Sequence, residues 1–470
     1  MIPLELGTQK VSKLLKQYAL PAIIAMTASS LYNMVDSIYI GQGVGPMAIS
    51  GLAITFPLMN LSAAFGTLVG VGASTLMSVL LGQKNYDTAK KVLGNVVLLN
   101  IIIGLIFMTL ALVFLDPILY FFGASESTIN YARDYMFVIL LGNVVTHMYF
   151  GLNSLLRAAG HPKKAMTATI LTVIINTILD PIFIFVLDMG IQGAAIATVL
   201  AQIISLVWLI NIFSNKKELL HFSKGIFKID YKIAGQSLSI GLAPFLMNVA
   251  SCFVVIFINN RLKQYGGDLA IGAYGIINRI VFIFLMIVMG FTQGMQPIAG
   301  YNYGAKQYHR VIEVLKLTIK CAVCVMAFSF IVAMFIPGAA VSIFTSDTEL
   351  ISIASKGLRI VSIFAPFVGF QMVVSNFFQS LGLVRKAVFL SLSRQLLFLI
   401  PCLALLPHFF GIKGVWLSLP ISDLISAIVA AILLSGLLKK FKTEMNENEQ
   451  IHDSEDVFVD RITDINSARK

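Results

Sequence analysis

Charge is what this 470-residue chain has least of: Asp, Glu, Lys and Arg together make up 12% of it. Soluble domains carry about 25%, so a chain this depleted is not built to meet water over its whole surface. Cysteine is scarce as well. The four present, Cys252, Cys321, Cys324 and Cys402, all lie inside apolar runs. Cys321 and Cys324 have the spacing of a redox or zinc pair, but no nearby histidine or second cysteine pair accompanies them, so they read as small packing residues. There is no HExxH helix, no nucleophile elbow and no Gly-rich phosphate loop. ATP hydrolysis and the familiar membrane hydrolases are therefore not indicated, and neither an enzyme nor a bound cofactor is expected. The N-terminus offers no small-residue cleavage site, and its first apolar run is too long for a signal peptide.

What is abundant is apolar surface: 57% of residues are hydrophobic, and the mean hydropathy is +0.86. A bilayer core needs about 20 apolar residues per helix. Twelve segments qualify: Leu14–Ile40, Ala48–Leu81, Val92–Leu115, Ile129–Leu156, Ala165–Leu187 and Ile191–Phe213, then Gly235–Leu262, Ile271–Ala299, Val311–Ile336, Ile351–Ser380, Ala387–Phe410 and Gly414–Leu438. Their continuity, without period-two alternation, specifies helices rather than a barrel. The net charge of +11 resides in short basic clusters between these segments. That is the pattern of membrane topology and not of nucleic-acid binding. With the N-terminus inside, the cytoplasmic loops collect 21 lysines and arginines and the outer loops six. The bias places both termini of a multi-pass membrane protein in the cytoplasm.

The chain is also a duplication. Gly82-Gln83-Lys84-Asn85-Tyr86 recurs as Gly304-Ala305-Lys306-Gln307-Tyr308, an offset of 222; Gly160 answers to Gly382, and Gly190-Ile191-Gln192-Gly193 to Gly411-Ile412-Lys413-Gly414. Each copy has an even number of spans, so both share one orientation and are related by an axis along the membrane normal, with a site at their interface. The expected organisation is a six-helix lobe at 1–213, a basic cytoplasmic linker at 214–232, a second six-helix lobe at 233–442, and a disordered acidic tail at 443–470.

The two halves differ in their acids. Asp36 and Asp180 lie at bilayer depth in the first half, whereas the positions 222 residues later are Ile258 and Cys402. An ionisable group in hydrocarbon costs at least about 2.5–3.5 kcal/mol and marks a site for an ion or proton. Helical spacing puts Tyr32 on one face with Asp36, Asn176 with Asp180, and Thr198 with Gln202, while Asn153 adds an amide from the fourth span. Such a set can hold a proton on a coupled carboxylate pair or coordinate a dehydrated Na⁺ through oxygens at Asp36, Asn176, Asp180 and Thr198. The alternative is that the polar groups simply satisfy one another. Asp423, the acid of the second half, is a secondary candidate, either a polar site or a salt bridge to Arg279 or Arg394. His147 reads as a packing histidine. Pro21 and Pro181 share helices with the two acids and are candidate hinges.

Three stretches carry a family resemblance: Val35-Asp36-Ser37-Ile38-Tyr39-Ile40-Gly41, Leu179-Asp180-Pro181, and Ala273-Tyr274-Gly275 through Arg279. Gln296-Pro297-Ile298-Ala299-Gly300-Tyr301-Asn302-Tyr303-Gly304 adds a fourth. Through Leu438 the chain resembles the MATE (multidrug and toxic compound extrusion) family. It is most similar to the prokaryotic branch named for the DNA-damage-inducible F protein, including the staphylococcal multidrug exporter A type. The resemblance implies a cation site at Asp36, Asn176, Asp180 and Thr198, with Tyr32 and Asn153 adjoining. It implies an antiporter of a bacterial plasma (inner) membrane that exchanges H⁺ or Na⁺ for amphipathic, often cationic compounds, and a monomer is expected. The family branches with an acid in the seventh or tenth helix are not matched. A lipid-linked oligosaccharide flippase of the same superfamily is the alternative, but it wants a basic cavity where the first lobe offers acids.

Overall fold

A computed structural model describes residues 5–223 and 225–467, and among these there are helices and turns but no strand. Ten unbroken helices are long and apolar enough to span a bilayer: Val11–Gly43, Pro46–Gly82, Tyr86–Val113, Pro162–Val186, Gly190–Ser214, Tyr231–Gly267, Leu269–Gly304, Tyr308–Phe335, Val384–Phe410 and Ile412–Glu447. Two more spans are bent pairs, Ile129–Leu141 with Asn143–Ala158 at 55° and Thr348–Val361 with Ala365–Ser380 at 56°. Together they make twelve, numbered here as spans one to twelve in chain order.

The fourth and tenth spans are broken where the sequence suggests continuous helices, and the breaks fall at equivalent places in the two halves. In the tenth, Pro366 opens the second segment, where its missing N–H and fixed φ start a helix but cannot continue one. In the fourth, Val199 of the sixth span packs so closely on Gly142 that a Cβ there would lie 2.5 Å from it.

Backbone geometry repeats with the sequence. Lys84 and Lys306 both adopt positive φ (59° and 58°), as do Gly160 and Gly382 (95° and 72°) and Gly190 and Gly411 (57° and 56°). Three motifs matched by spacing thus form three matched turns. Gly267, at φ 69° and ψ −168°, occupies a region essentially closed to residues with a Cβ and allows the chain to reverse between spans seven and eight.

The lobes are locked together at the end that carries the basic loops. A Cβ on Gly82 would lie 1.9 Å from the Tyr301 carbonyl, and one on Gly304 would lie 2.1 Å from that of Val79. These two contacts exchange under the 222-residue offset. Gly72 packs on Ser237, Gly241 on Leu68, Gly294 on Ala19 and Gly290 on Ile23. Gln296 donates to Thr75 at 2.7 Å, and Arg310 donates to the carbonyls of Leu6 and Gln9 at 3.0 and 2.6 Å. Toward the other end the lobes also touch at Phe65–Phe245, with ring centroids 4.8 Å apart, and at Gln293–Met26. Beyond them the lobes part. One hydrophobic core runs through both lobes at the locked end, while separate smaller cores, around Leu119 and Tyr135 and around Leu262 and Trp416, fill the outer half of each lobe. Leu31, Met34 and Phe56 of the first lobe and Phe253, Phe282 and Ile283 of the second stay exposed.

The linker is docked rather than loose. Ile226 is buried against Gly94, Asn95 donates to the Lys228 carbonyl at 3.3 Å, and the Asp230 amide donates back to Asn95 at 2.9 Å. The twelfth helix continues to Ser467, where a disordered acidic tail is expected from composition. Residues 443–467 contain neither proline nor glycine, so nothing in them breaks a helix already under way.

Candidate functional site

The fifth span passes close to the first, and this brings the two acids together. Asp36 retains 6% of its surface and Asp180 1%, both in the half of the first lobe away from the locked end. Their carboxyls lie within hydrogen-bonding reach of one another, so one of them must hold a proton, or a cation must sit between them, for the pair to be stable. Asn176, one turn before Asp180, donates through Nδ2 to Asp180 Oδ1 at 3.0 Å and to Thr198 Oγ1 at 3.3 Å. That leaves three oxygens of the site buried without a hydrogen-bond partner among the described residues: Asp36 Oδ1, Asp180 Oδ2 and Asn176 Oδ1. A donor set of carboxylate, amide and hydroxyl oxygens suits a hard monovalent cation, and a pair of carboxyls in contact equally suits a proton. Pro181 ends the regular part of the fifth span, and Ile182–Val186 continues it as a wider π turn directly after the acid. The first span, by contrast, runs through Pro21 as one helix.

Tyr32 is half-buried and lies within electrostatic range of both carboxyls. A residue missed by the sequence reading joins it. Tyr135, buried in the outer segment of the fourth span, lies in range of Asp36, Tyr32 and Asp180. The available signal was a tyrosine within an apolar helix, whose hydroxyl seeks a polar neighbour.

Two expected members lie elsewhere. Asn153 gives its amide to the Ala165 carbonyl at 3.0 Å and to Thr169 at 3.4 Å, and its oxygen accepts from Arg157 at 2.6 Å. Its bonding capacity is directed at Arg157, four residues on, toward the locked end. Gln202 accepts from Thr146 of the fourth span at 2.5 Å and makes no bond to the acids. His147 sits in a buried network, its Nε2 2.9 Å from the Ser62 carbonyl, with Ser62 bonded to Asn143 and Asn143 donating to Gly104 at 3.1 Å.

In the second lobe, Arg394 donates from Nε to Asp423 Oδ1 at 2.6 Å, which selects one of the two partners considered for that acid. Asp423 is thus neutralised by a permanent cation, unlike Asp36 and Asp180. Arg279, the other candidate, is exposed.

Comparison with known proteins bears on the family and the fold. The family model described as MatE matches residues 21–182 and 240–404, one block in each lobe. The chain is 29% identical over 434 residues to the multidrug export protein MepA of Staphylococcus haemolyticus, covering 92% of this chain and 95% of that one. A solved structure of the MATE multidrug transporter DinF-BH superimposes with a TM-score of 0.85 at 36% identity, covering 91% of this chain and 96% of that one. An outward-facing MATE family transporter of the MOP superfamily shares the fold, with a TM-score of 0.88 at 24% identity over 94% and 99% of the two chains. With two matched blocks, a duplicated twelve-helix frame and relatives aligned over nearly their whole length, this chain belongs to the MatE family.

Proposed function

We propose that this protein is a secondary antiporter that exports amphipathic, often cationic compounds from a bacterial cell in exchange for H⁺ or Na⁺. The observation that carries the reading is the contact between Asp36 and Asp180, two buried acids with no basic partner among the described residues. Two carboxyls in one apolar site cannot both stay ionised alone, so the pair is stable only when loaded. The names of the relatives, drug exporters among them, support the direction and the cargo and weigh against the flippase alternative.

With the basic loops in the cytoplasm, the locked end faces inward and the structure is open to the outside. In that state a proton or Na⁺ reaches the first-lobe site from outside. Asp36, Asp180 and Asn176 offer their free oxygens and Thr198 its hydroxyl, while Tyr32 and Tyr135 shield the pair. Loading removes negative charge from the first-lobe wall and weakens its hold on a cationic compound, which leaves outward. The lobes then rock to the opposite state, with Pro21 and the Pro181 π turn absorbing the bend. Unloading to the cytoplasm restores the charge and readies the cavity for the next compound. An ion moving inward gains about 2.3 kcal/mol per 100 mV, worth more than tenfold in compound gradient. Apolar side chains such as Met34, Phe56 and Phe253 suit a tolerant cavity better than a dense polar one would.

The test is efflux from proteoliposomes with pH and Na⁺ gradients imposed separately. Asp36→Asn and Asp180→Asn should each cut ion-driven export at least about tenfold, with expression intact. Unchanged export in both variants would refute the assignment.

A further inference from the structure

Arg279 is the feature that the ion site does not use. It lies on the eighth span, ten residues in from Leu269, or about 15 Å along the helix from its outer end. Its side chain is exposed, and among the described residues no hydrogen bond or ion pair holds it. The acid nearest in kind, Asp423, is taken by Arg394 at 2.6 Å. A guanidinium left bare in lipid costs several kcal/mol, so an unpaired one faces water.

Helix geometry says which water. At 3.6 residues per turn, Arg279 and Gly290 differ by about 20° around the axis. Gly290 and Gly294 are the positions where the eighth span presses on Ile23 and Ala19 of the first span at the locked end. Arg279 thus projects from the same face where the lobes have parted, into the cavity between them. Ile283, one turn further along, is 57% exposed on that face, and a Cβ on Gly275, one turn before, would meet open space, with no atom of another element among the described residues within 4 Å. Beside it, Asn278 reaches Tyr274, which lies within range of Arg394 and Asp423. The cavity is therefore polar in the electrical sense, with carboxyls behind its first-lobe wall and a free guanidinium on its second-lobe wall.

We propose that Arg279 is an anion-recognition point, and that it selects amphipathic compounds carrying a carboxylate beside their apolar or cationic body. A planar guanidinium with all its N–H groups free takes a carboxylate through two parallel bonds. A zwitterion would span the cavity with its cation toward the Asp36 side and its carboxylate on Arg279. The inference rests on the export reading for its biological meaning, but the binding event can be measured alone.

The probes are a rhodamine ethyl-ester dye, a cation, and its free acid, a zwitterion of nearly the same shape. Binding to purified protein in nanodiscs is followed by fluorescence anisotropy. Arg279→Met should weaken the free acid about tenfold or more while the ester stays within about twofold, and Arg279→Lys should fall between. Retained ester binding shows that the variant is folded. Equal losses for both dyes, or no loss for the acid, overturn the proposal. If Arg279 governs binding of the acid but proteoliposomes export neither dye, the subsite stands and the export reading fails. If export persists and Arg279→Met leaves the acid's Kd unchanged, the reverse holds.

Discussion

A carboxylate in the membrane has two stable fates, and this protein displays both. Asp423 is held by Arg394, a permanent cation, and can act as a structural tie between the eleventh and twelfth spans. Asp36 and Asp180 lie against each other, with Asn176 donating to Asp180, and among the described residues no ion pair to a basic side chain holds either. The difference is testable at single residues. Arg394→Met leaves Asp423 buried without its partner and should destabilise the fold by about 3–5 kcal/mol, whereas Arg394→Met combined with Asp423→Leu should recover most of that. Thermal unfolding in detergent checks it: a lowered midpoint in the single variant and a restored one in the double. If the double variant melts no higher than the single, the pair is not a structural tie.

At the scale of elements, the linker shows how a polar loop becomes part of the fold. Glu218 meets Lys164 at 3.1 Å and His161 at 3.2 Å, fastening the linker to the start of the fifth span. Partial burial pushes the Glu218 carboxyl up, but the Lys164 ammonium and His161 outweigh it and leave its pKa below the ordinary value. His161 is itself pushed down by burial. A carboxyl depressed in the folded state stabilises above its unfolded pKa, about 4.3, and loses that contribution as pH falls through the folded value. Glu218→Gln should therefore speed amide exchange across Asn215–Ile226 at neutral pH, by less than about 1 kcal/mol for a half-exposed pair. The gap from wild type should close as pH drops below that range. A gap that widens in acid would show that the bridge is not what holds the linker.

For the whole molecule, the decisive contact is backbone on backbone. Gly82 against Tyr301 and Gly304 against Val79 leave no room for a side chain. Burying a Cβ there forces the helices apart, and a packed interface switches rather than stretches. Gly82→Val and Gly304→Val should each move the population toward the state closed at the outer end, with export lost and the fold retained. Spin-label distances between the basic-loop ends of spans two and eight should lengthen relative to wild type. If those distances stay at the wild-type value, the glycine contacts are not the seal.

Much of this was legible in the sequence because it depends on local quantities. Twelve spans and their pairing into two copies follow from apolar length and spacing, and the matched turns at Lys84 and Lys306 needed only a repeated motif. That Asn176 and Asp180 share a face could be read from helical period, since four-residue spacing fixes it. Which faces meet is a different kind of fact. Asn153 and Gln202 have the right residue types, but their bonds go to Arg157 and Thr146. Tyr135 joins the acids from a span bent by 55° at Gly142, where Val199 of the sixth span packs. The choice of Arg394 over Arg279 as partner of Asp423, and the end at which the lobes close, likewise arise only when helices distant in sequence are packed. Each of these is settled by distance across an interface, a quantity to which no single segment has access.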